Sequence, residues 1–407
     1  MELEEADAAV YDNDSSKVLI GKMSGQYMAA YNNTKGFVGL VEDEQRGVGP
    51  PKFNTPTSDP VVVVAKCTRV MLDDRILDMA RAISSDPRPG AALGTWKLPK
   101  LKWVNGVPGC GKTTHIVRNF DEEAEAVVTT TVEAAKDLKE KLAHRLGERV
   151  RKRVRTMASV LVNGFKEGIV INRLTVDEAL MCHFGAIVMA ARLSAAEEVT
   201  LIGDINQLPY IDRNNLFDLR YCRPNLTTNI TSELSCTHRS PLDVAFAIAE
   251  VYDYIYSSNP IIHSLKRERF TGAQIPSSCA DTLYLVHTQE EKRILMDQGY
   301  GTGASSRVLT IHEAQGQTRG HVIIVRIRGA RIRIHESIPH AVVAVTRHTD
   351  TCVYYSDDGG DAIGNFISRA VGASAREILE HNLRMSMTSR DNTVMESLVK
   401  RLHSQDM

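Results

Sequence analysis

The sequence predicts an α/β protein built on two mainly parallel sheets, and three observations carry that prediction. From Leu101 onward, short apolar runs alternate with longer stretches of helical spacing. That is the pattern of parallel strands whose crossover helices cover both faces. The strand candidates are too many for one sheet of usual size. Between them, around residues 225–245, RPNLTTNITSELS interrupts the apolar pattern and marks a boundary.

Taken in order, residues 1–85 form a small accessory domain. It begins acidic, MELEEADAAVYDND, and shows strand-like patches at KVLIGKM (17–23) and VVVVAKC (61–67). The Pro- and Gly-rich loop 47–60 divides them, and RILDMARAIS (75–84) has helical spacing. Residues 86–100 read as a linker. A first α/β domain then covers 101–235 and a second 236–407. In the first, KLKWVNG is a strand, TTHIVRNF a helix, EAVVTTT (125–131) a strand and AAKDLKEKLAHRL (134–146) a helix. NRLTVDE, EVTLIGD, DTLYLVHT, SRVLTIHE, GHVIIVRIR and AVVAVTRH follow as strands.

Composition narrows the class. The chain has 407 residues, 43% hydrophobic and 24% charged, with net charge −1. This suits a globular protein with its own core. Seven cysteines stand at 67, 110, 182, 222, 236, 279 and 352 without C-x-x-C pairs or zinc spacing. They read as small apolar side chains in a reducing compartment. The acidic start resembles neither a signal nor a transit peptide. The longest apolar run, near GAIVMAA (185–191), is too short to span a bilayer.

The stretch GVPGCGKTT (106–114) matches the phosphate-loop pattern in full. Gly106, Val107, Pro108, Gly109, Cys110 and Gly111 turn backbone N–H groups toward a β-phosphate. Lys112 reaches the β- and γ-phosphates, Thr113 presents its hydroxyl to Mg²⁺, and Thr114 continues into the helix. The positive helix end faces the anion. About sixty residues on, LTVDEAL supplies a carboxylate pair. Asp177 is the metal-side carboxylate and Glu178 the base that orients and deprotonates water. An Asp-Glu pair also begins many exposed helices, so it carries weight only beside the phosphate loop. In LIGDINQLPY (201–210), Gln207 offers an uncharged amide to a γ-phosphate. Arg239 in CTHRSP and Arg347 in AVTRH are candidates to offset charge on the transferred phosphoryl group.

GVPGCGKT, VVTTTVEAA, VDEALM, LIGDINQLPY, CTHRSP, TIHEAQGQT (310–318) and AVTRHT stand in one order. This series resembles the motifs of superfamily-one helicases of positive-strand RNA viruses, and looks most like the helicase region of tobamovirus replication proteins. The resemblance covers roughly residues 101–350. It implies two RecA-like domains with ATP, or another NTP, and Mg²⁺ in the cleft between them. It implies that Arg239 and Arg347 act as arginine fingers, that Gln315 and Gly316 couple nucleotide to nucleic acid, and that Thr129, Thr130 and Thr131 touch the RNA backbone. The function it implies is an ATP-dependent RNA helicase or translocase in viral genome replication. Single-stranded RNA and other replication proteins, such as the viral polymerase, are the expected partners. The expected place is the host cytoplasm, at membrane-associated complexes reached through partners.

Two basic stretches suit a polyanion. HRLGERVRKRVRT (144–156) contains Arg151 and Arg153, taken as RNA contacts. VRIRGARIRIH (325–335), if a strand, sets several guanidiniums on one face. The motifs leave rival readings open: a 5′-triphosphatase acting on RNA before capping, and a nucleotide-dependent interaction module. A small-molecule kinase leaves the Asp-Glu pair and second domain unexplained.

Overall fold

In the computed structural model the described residues are 9–11, 17–23, 26–31, 40–41, 99–165, 169–182, 184–208, 210, 230–277 and 279–405. Ala9–Tyr11 (β1), Lys17–Met23 (β2), Gln26–Tyr31 (β3) and Leu40–Val41 (β4) pair antiparallel in that order. The strand expected at 17–23 is β2. The expected strand at 61–67, helix at 75–84 and loop at 47–60 lie outside the described residues, as does the linker up to residue 98.

The first parallel sheet is made of Lys100–Gly106 (β5), Glu125–Thr129 (β6), Val154–Thr156 (β7), Arg173–Val176 (β8) and Glu198–Gly203 (β9). Ser232–Leu234 (β10) flanks it, and the order is β10-β5-β9-β8-β6-β7. β5, β9, β8, β6 and β7 run parallel to their neighbours. Trp103, Val127, Leu174, Val176 and Leu201 are wholly buried along it, which is why these strands read as near-continuous apolar runs. Its helices are Lys112–Asn119 (α1), Val132–Leu146 (α2), Met157–Asn163 (α3) and Phe184–Ser194 (α4). Thr131 caps α2 by accepting from Ala134 N–H at 3.1 Å. Ala135, Leu138 and Leu142 form its buried stripe, at helical spacing.

The second unit opens with a two-stranded parallel pair, Cys236–Thr237 (β11) and Tyr256–Ser257 (β12), separated by Leu242–Ala247 (α5). Its main sheet holds Leu265–Glu268 (β13), Thr282–Val286 (β14), Arg307–Thr310 (β15), Arg319–Val325 (β16) and His348–Tyr355 (β17). All pairs are parallel and the order is β13-β17-β16-β14-β15. Gln289–Asp297 (α6), Ile338–Val345 (α7), Ala362–Gly372 (α8), Ala375–Thr388 (α9) and Asn392–Gln405 (α10) complete it. The α/β class with two parallel sheets is therefore as the alternating pattern predicts.

Two local expectations are corrected. AVVAVTRH is not a strand: Ala341–Val345 end helix α7, and the strand starts only at His348. All five residues from Ala341 to Val345 are buried. A run buried on every side has no period, so strand and helix look alike in sequence. Pro339 in the first turn suits a helix start, since its missing N–H costs nothing there. VRIRGARIRIH is not a strand with a guanidinium face either. β16 stops at Val325, and Arg333–Glu336 is a short 3-10 helix. Arg326 turns inward to Asp361 at 2.8 Å with its side chain 1% exposed, Arg331 pairs with Asp358 at 2.7 Å, and Arg328 pairs with Glu290. Local acidic partners took these charges, which alternation along the chain does not reveal.

The described residues divide into two units. One contains the described residues within 1–105, 112–205 and 209–233; the other contains those within 106–111, 206–208 and 234–407. The phosphate-loop backbone thus groups with the second unit, where Val107, Cys110 and Leu208 join its main apolar cluster.

Candidate active site

In the first unit the parallel strands deliver chemistry to one edge. α1 begins at Lys112, beyond the carboxyl end of β5. Asp177 and Glu178 follow β8, Asp204 follows β9, and Thr129 closes β6. Register fixes this alignment, with Asn105 opposite Gly203, Val176 opposite Leu201 and Val128 opposite Val176. Ligands of open parallel sheets bind at such carboxyl edges, where successive loops converge.

Asp177 is buried, at 6% exposure. Its N–H donates to Val128 O at 2.9 Å, which pins it to the sheet end. Burial, and next the Glu178 charge, push its carboxyl up to about 7, while Lys112 pulls the other way. A carboxylate so deprived of solvent is suited to a cation that restores its ionised form. Its carboxylate oxygens are hard donors of the kind Mg²⁺ takes. Glu178 stands in the left-handed region at φ 50°, and its N–H donates to Asp177 Oδ1 at 3.0 Å. A non-glycine residue held there stores about 1–3 kcal/mol of strain, a cost typical of functional turns. Asn105, which belongs to no motif in the sequence, ties β5 to the segment after Asp204: its Oδ1 accepts Ile205 N–H at 3.1 Å.

In the second unit the phosphate-loop backbone meets the CTHRSP segment. Gly109 and Gly111 have φ of +77° and +81°, where only glycine is unstrained. The Gly109 carbonyl accepts His238 N–H at 3.0 Å. A Cβ on Gly109 would lie 2.7 Å from Arg239 Cβ and from Thr237 Oγ1, and 3.2 Å from Arg239 Nε. Arg239 therefore sits directly against this loop. Its Nη1 donates to Thr318 Oγ1 at 2.8 Å, and its carbonyl accepts Asn259 Nδ2 at 2.7 Å. Thr318 closes the TIHEAQGQT stretch but gave no separate signal in sequence; only the fold brings it to Arg239.

Gln207 is buried at 3% exposure and groups with the same unit. Arg347 is also buried, at 2% exposure; its Nε donates to Val343 O at 3.0 Å and its Nη2 to Thr346 Oγ1 at 2.9 Å. Gln315 has a buried Oε1 without a hydrogen-bond partner among the described residues, beside Gly316 at φ +81°.

The residues assigned to RNA are placed as follows. Thr129 is buried and donates from Oγ1 to Thr131 O at 3.0 Å; Thr130 is half-buried; Thr131 is exposed and caps α2. Arg151 pairs with Glu148 at 2.5 Å. Arg153 donates to the carbonyls of Glu125, Val170 and Glu123 at 3.1, 3.0 and 2.8 Å. The Arg153 guanidinium is therefore occupied in holding the rim of the sheet together.

Comparison with known proteins matches residues 102–356 to the viral superfamily 1 RNA helicase core domain. The replicase large subunit of Potato mop-top virus is 33% identical over 318 residues, 74% of this chain and 17% of its own length. The replicase large subunit of Tobamovirus Ob is 32% identical over 265 residues, 63% of this chain and 16% of its own length. The chain thus spans about a sixth of these two replicases. Among solved structures, that of PRRSV helicase is similar with TM-score 0.47 and 17% identity, covering 78% of this chain and 62% of that one.

Proposed function

The chain belongs to the viral superfamily 1 RNA helicases, and from that premise we propose that it hydrolyses NTP, ATP foremost, to translocate on or unwind RNA during positive-strand viral genome replication. The observation that carries this reading is the shared carboxyl edge of the first sheet, with Lys112, buried Asp177 and strained Glu178 on it.

Each residue has a stated task in this proposal. The phosphate-loop amides and Lys112 hold the β- and γ-phosphates. Thr113 and Asp177 would hold Mg²⁺, which would supply charge neutralisation to the phosphates when bound. Glu178 accepts a proton from the attacking water, and Gln207 orients that water or the γ-phosphate. Arg239 and Arg347 offset charge on the transferred phosphoryl group, the type of interaction worth about 10³–10⁵ in rate elsewhere. Gln315 and Gly316 relay nucleotide state to the RNA-contacting loops, including Thr129–Thr131. RNA, a polymerase partner and a cytoplasmic replication complex complete the proposal. No helix among the described residues is long and apolar enough to cross a membrane.

The test is the NTPase rate with and without single-stranded RNA, for the unmodified chain and Lys112→Ala. RNA-stimulated turnover that Lys112→Ala abolishes supports the proposal. Turnover that survives Lys112→Ala removes the phosphate loop from the chemistry. Turnover indifferent to RNA favours a nucleotide-dependent interaction module.

A further inference from the structure

In the second unit one side chain joins the two segments that carry the candidate arginines. Asn259 Nδ2 donates to the Arg239 carbonyl at 2.7 Å and to the Thr349 carbonyl at 2.8 Å. These partners lie 20 residues before it and 90 residues after it. Thr349 follows Arg347 and His348 at the start of β17. Both hydrogens of a single amide are therefore spent on bridging CTHRSP to AVTRHT.

The bridge is itself held on each side. Ser257 Oγ donates to the Ser240 carbonyl at 2.6 Å and accepts Asn259 N–H at 2.9 Å. Leu242 N–H donates to the Ile261 carbonyl at 2.9 Å. On the other side, the Arg347 carbonyl accepts Arg319 N–H at 3.1 Å. His348 Nε2 bonds Ser264 Oγ at 2.9 Å, and that hydroxyl donates to the buried Asp243 carboxylate at 2.7 Å. The chain on either side of Asn259 has little freedom left, so the amide sets a fixed spacing between the two arginine segments.

Turn formation does not account for the amide. Asn259 Oδ1 accepts Ile261 N–H at 3.0 Å, a turn closure that Asp makes as well as Asn. The two Nδ2 bonds go beyond it, and an ionised Asp has no hydrogen to give them.

We propose that Asn259 is a positioning residue: it locks the Arg239 and Arg347 segments to each other, so that both guanidiniums meet the transferred phosphoryl group as one rigid set. The proposal rests on the reading of those two arginines given above. Its effect falls on the chemical step, because loop amides and Lys112 hold the nucleotide, while a misplacement of about 1 Å in the reacting geometry costs on the order of 10²-fold in rate.

The experiment measures steady-state NTP hydrolysis, with the full chain, for Asn259→Ala and Asn259→Asp. Asn259→Asp keeps the turn and loses both donors. Each variant is expected to lower kcat about tenfold and to change KM for NTP by less than about twofold. Single-turnover hydrolysis of radiolabelled ATP then tests the route of the effect. Asn259→Asp should cost less in an Arg239→Ala or an Arg347→Ala background than in the parent, because its action passes through those arginines. Tyr256→Phe is the stability control. It removes a hydrogen bond to Asp391 Oδ2 at 3.0 Å in the same unit, reaching neither arginine segment. It should lower the melting temperature and leave turnover at the parent level.

Parent-like kcat in Asn259→Asp, or an equal cost of Asn259→Asp in all three backgrounds, overturns the proposal while parent turnover leaves the functional reading standing. Loss of turnover in Tyr256→Phe in step with its melting temperature also overturns it, by making general loosening the cause. A parent without NTP turnover, or arginine variants with normal turnover, overturns the functional reading first and this proposal with it.

Discussion

Arg239 donates from Nη1 to the hydroxyl of Thr318 at 2.8 Å while its Cβ lies against Gly109 of the phosphate loop. One guanidinium is thereby tied to a residue of the TIHEAQGQT segment and set against the GVPGCGKT loop. Thr318 is a positioning residue in this arrangement. Replacing it with Val removes the acceptor and keeps the shape. A hydrogen bond to a charged group is worth about 1.5–3 kcal/mol, so turnover should fall about tenfold or more, with KM for NTP little changed. Thr318→Ser should recover most of the loss. Equal kcat for Thr318→Val and the parent would detach Thr318 from the mechanism.

Gly109→Ala is expected to fail for two separable reasons. Positive φ costs an L-residue about 1–2 kcal/mol, and here the new Cβ also meets Arg239 and Thr237 at 2.7 Å. Gly147 has φ +89° with nothing within 4 Å of an added Cβ. Gly147→Ala therefore reports strain alone. Chemical denaturation and NTPase assays of both variants should show a larger stability loss, and a loss of turnover, only for Gly109→Ala.

Asp177 makes stability depend on pH. Its folded carboxyl is raised from 3.8 to about 7. Between those values the folded chain keeps a proton that the unfolded chain has released, so without metal its contribution declines as pH rises from about 4 to 7. Asp177→Asn should remove this decline, raise the melting temperature of the metal-free chain near pH 8, and abolish NTP turnover. Mg²⁺ should protect the parent more at pH 8 than at pH 6, because the cation competes with the proton. Equal Mg²⁺ protection at both pH values would argue against Asp177 as a ligand.

The second unit should be acid-sensitive. Burial, and then the neighbouring His335, Arg326 and His340, hold His287 down to about 3; burial likewise lowers His340 to about 4 and His348 to about 3. Their unfolded value is 6.5. As pH falls below about 6.5 the unfolded chain takes up protons that the folded chain refuses. Stability is lost at up to about 1.4 kcal/mol per pH unit for each such group until the folded value is reached. His287 makes no hydrogen bond from either ring nitrogen among the described residues and packs edge-on to His335 at 4.5 Å between ring centres. His287→Phe should thus be near neutral at pH 8 and shallower in its acid decline, as read by urea titration. A parallel decline in both proteins would exclude His287 as a contributor.

Arg326 and Asp361 form a buried pair at 2.8 Å, with Tyr354 also donating to Asp361 at 2.5 Å. Asp361 additionally caps α8 by accepting Gly364 N–H at 2.8 Å. Removing Asp361 leaves the buried Arg326 guanidinium with only the longer Asp358 contact, at 3.4 Å. Asp361→Ala should therefore cost about 3–5 kcal/mol in denaturation. A cost under about 1 kcal/mol would mean that the existing Asp358 contact, or solvent, suffices for Arg326.

Much of the candidate site was readable in the sequence because the groups assigned to it lie close together along the chain. The phosphate-loop glycines, Lys112 and Thr113 lie in one short run of sequence, and the geometry they need is set by φ angles and a helix start. Asp177 and Glu178 are adjacent, and the strand before them announced itself by its apolar run. The alternation of strands and helices likewise indicated the fold class, since burial on both sheet faces imposes that pattern.

What the chain alone determined, then, was which groups are candidates for the chemistry and that parallel sheets carry them; short-range spacing and apolar periodicity encode both. Only the tertiary structure decided that AVVAV is helix, that the arginines of 326–331 are consumed by Asp358, Asp361 and Glu290, that Thr318 meets Arg239, and that Asn259 bridges the segments of Arg239 and Arg347. These outcomes depend on which distant groups meet in the packed chain, 79 residues apart for Arg239 and Thr318. Desolvation and pairing energies are properties of that packed neighbourhood, and no local pattern records them.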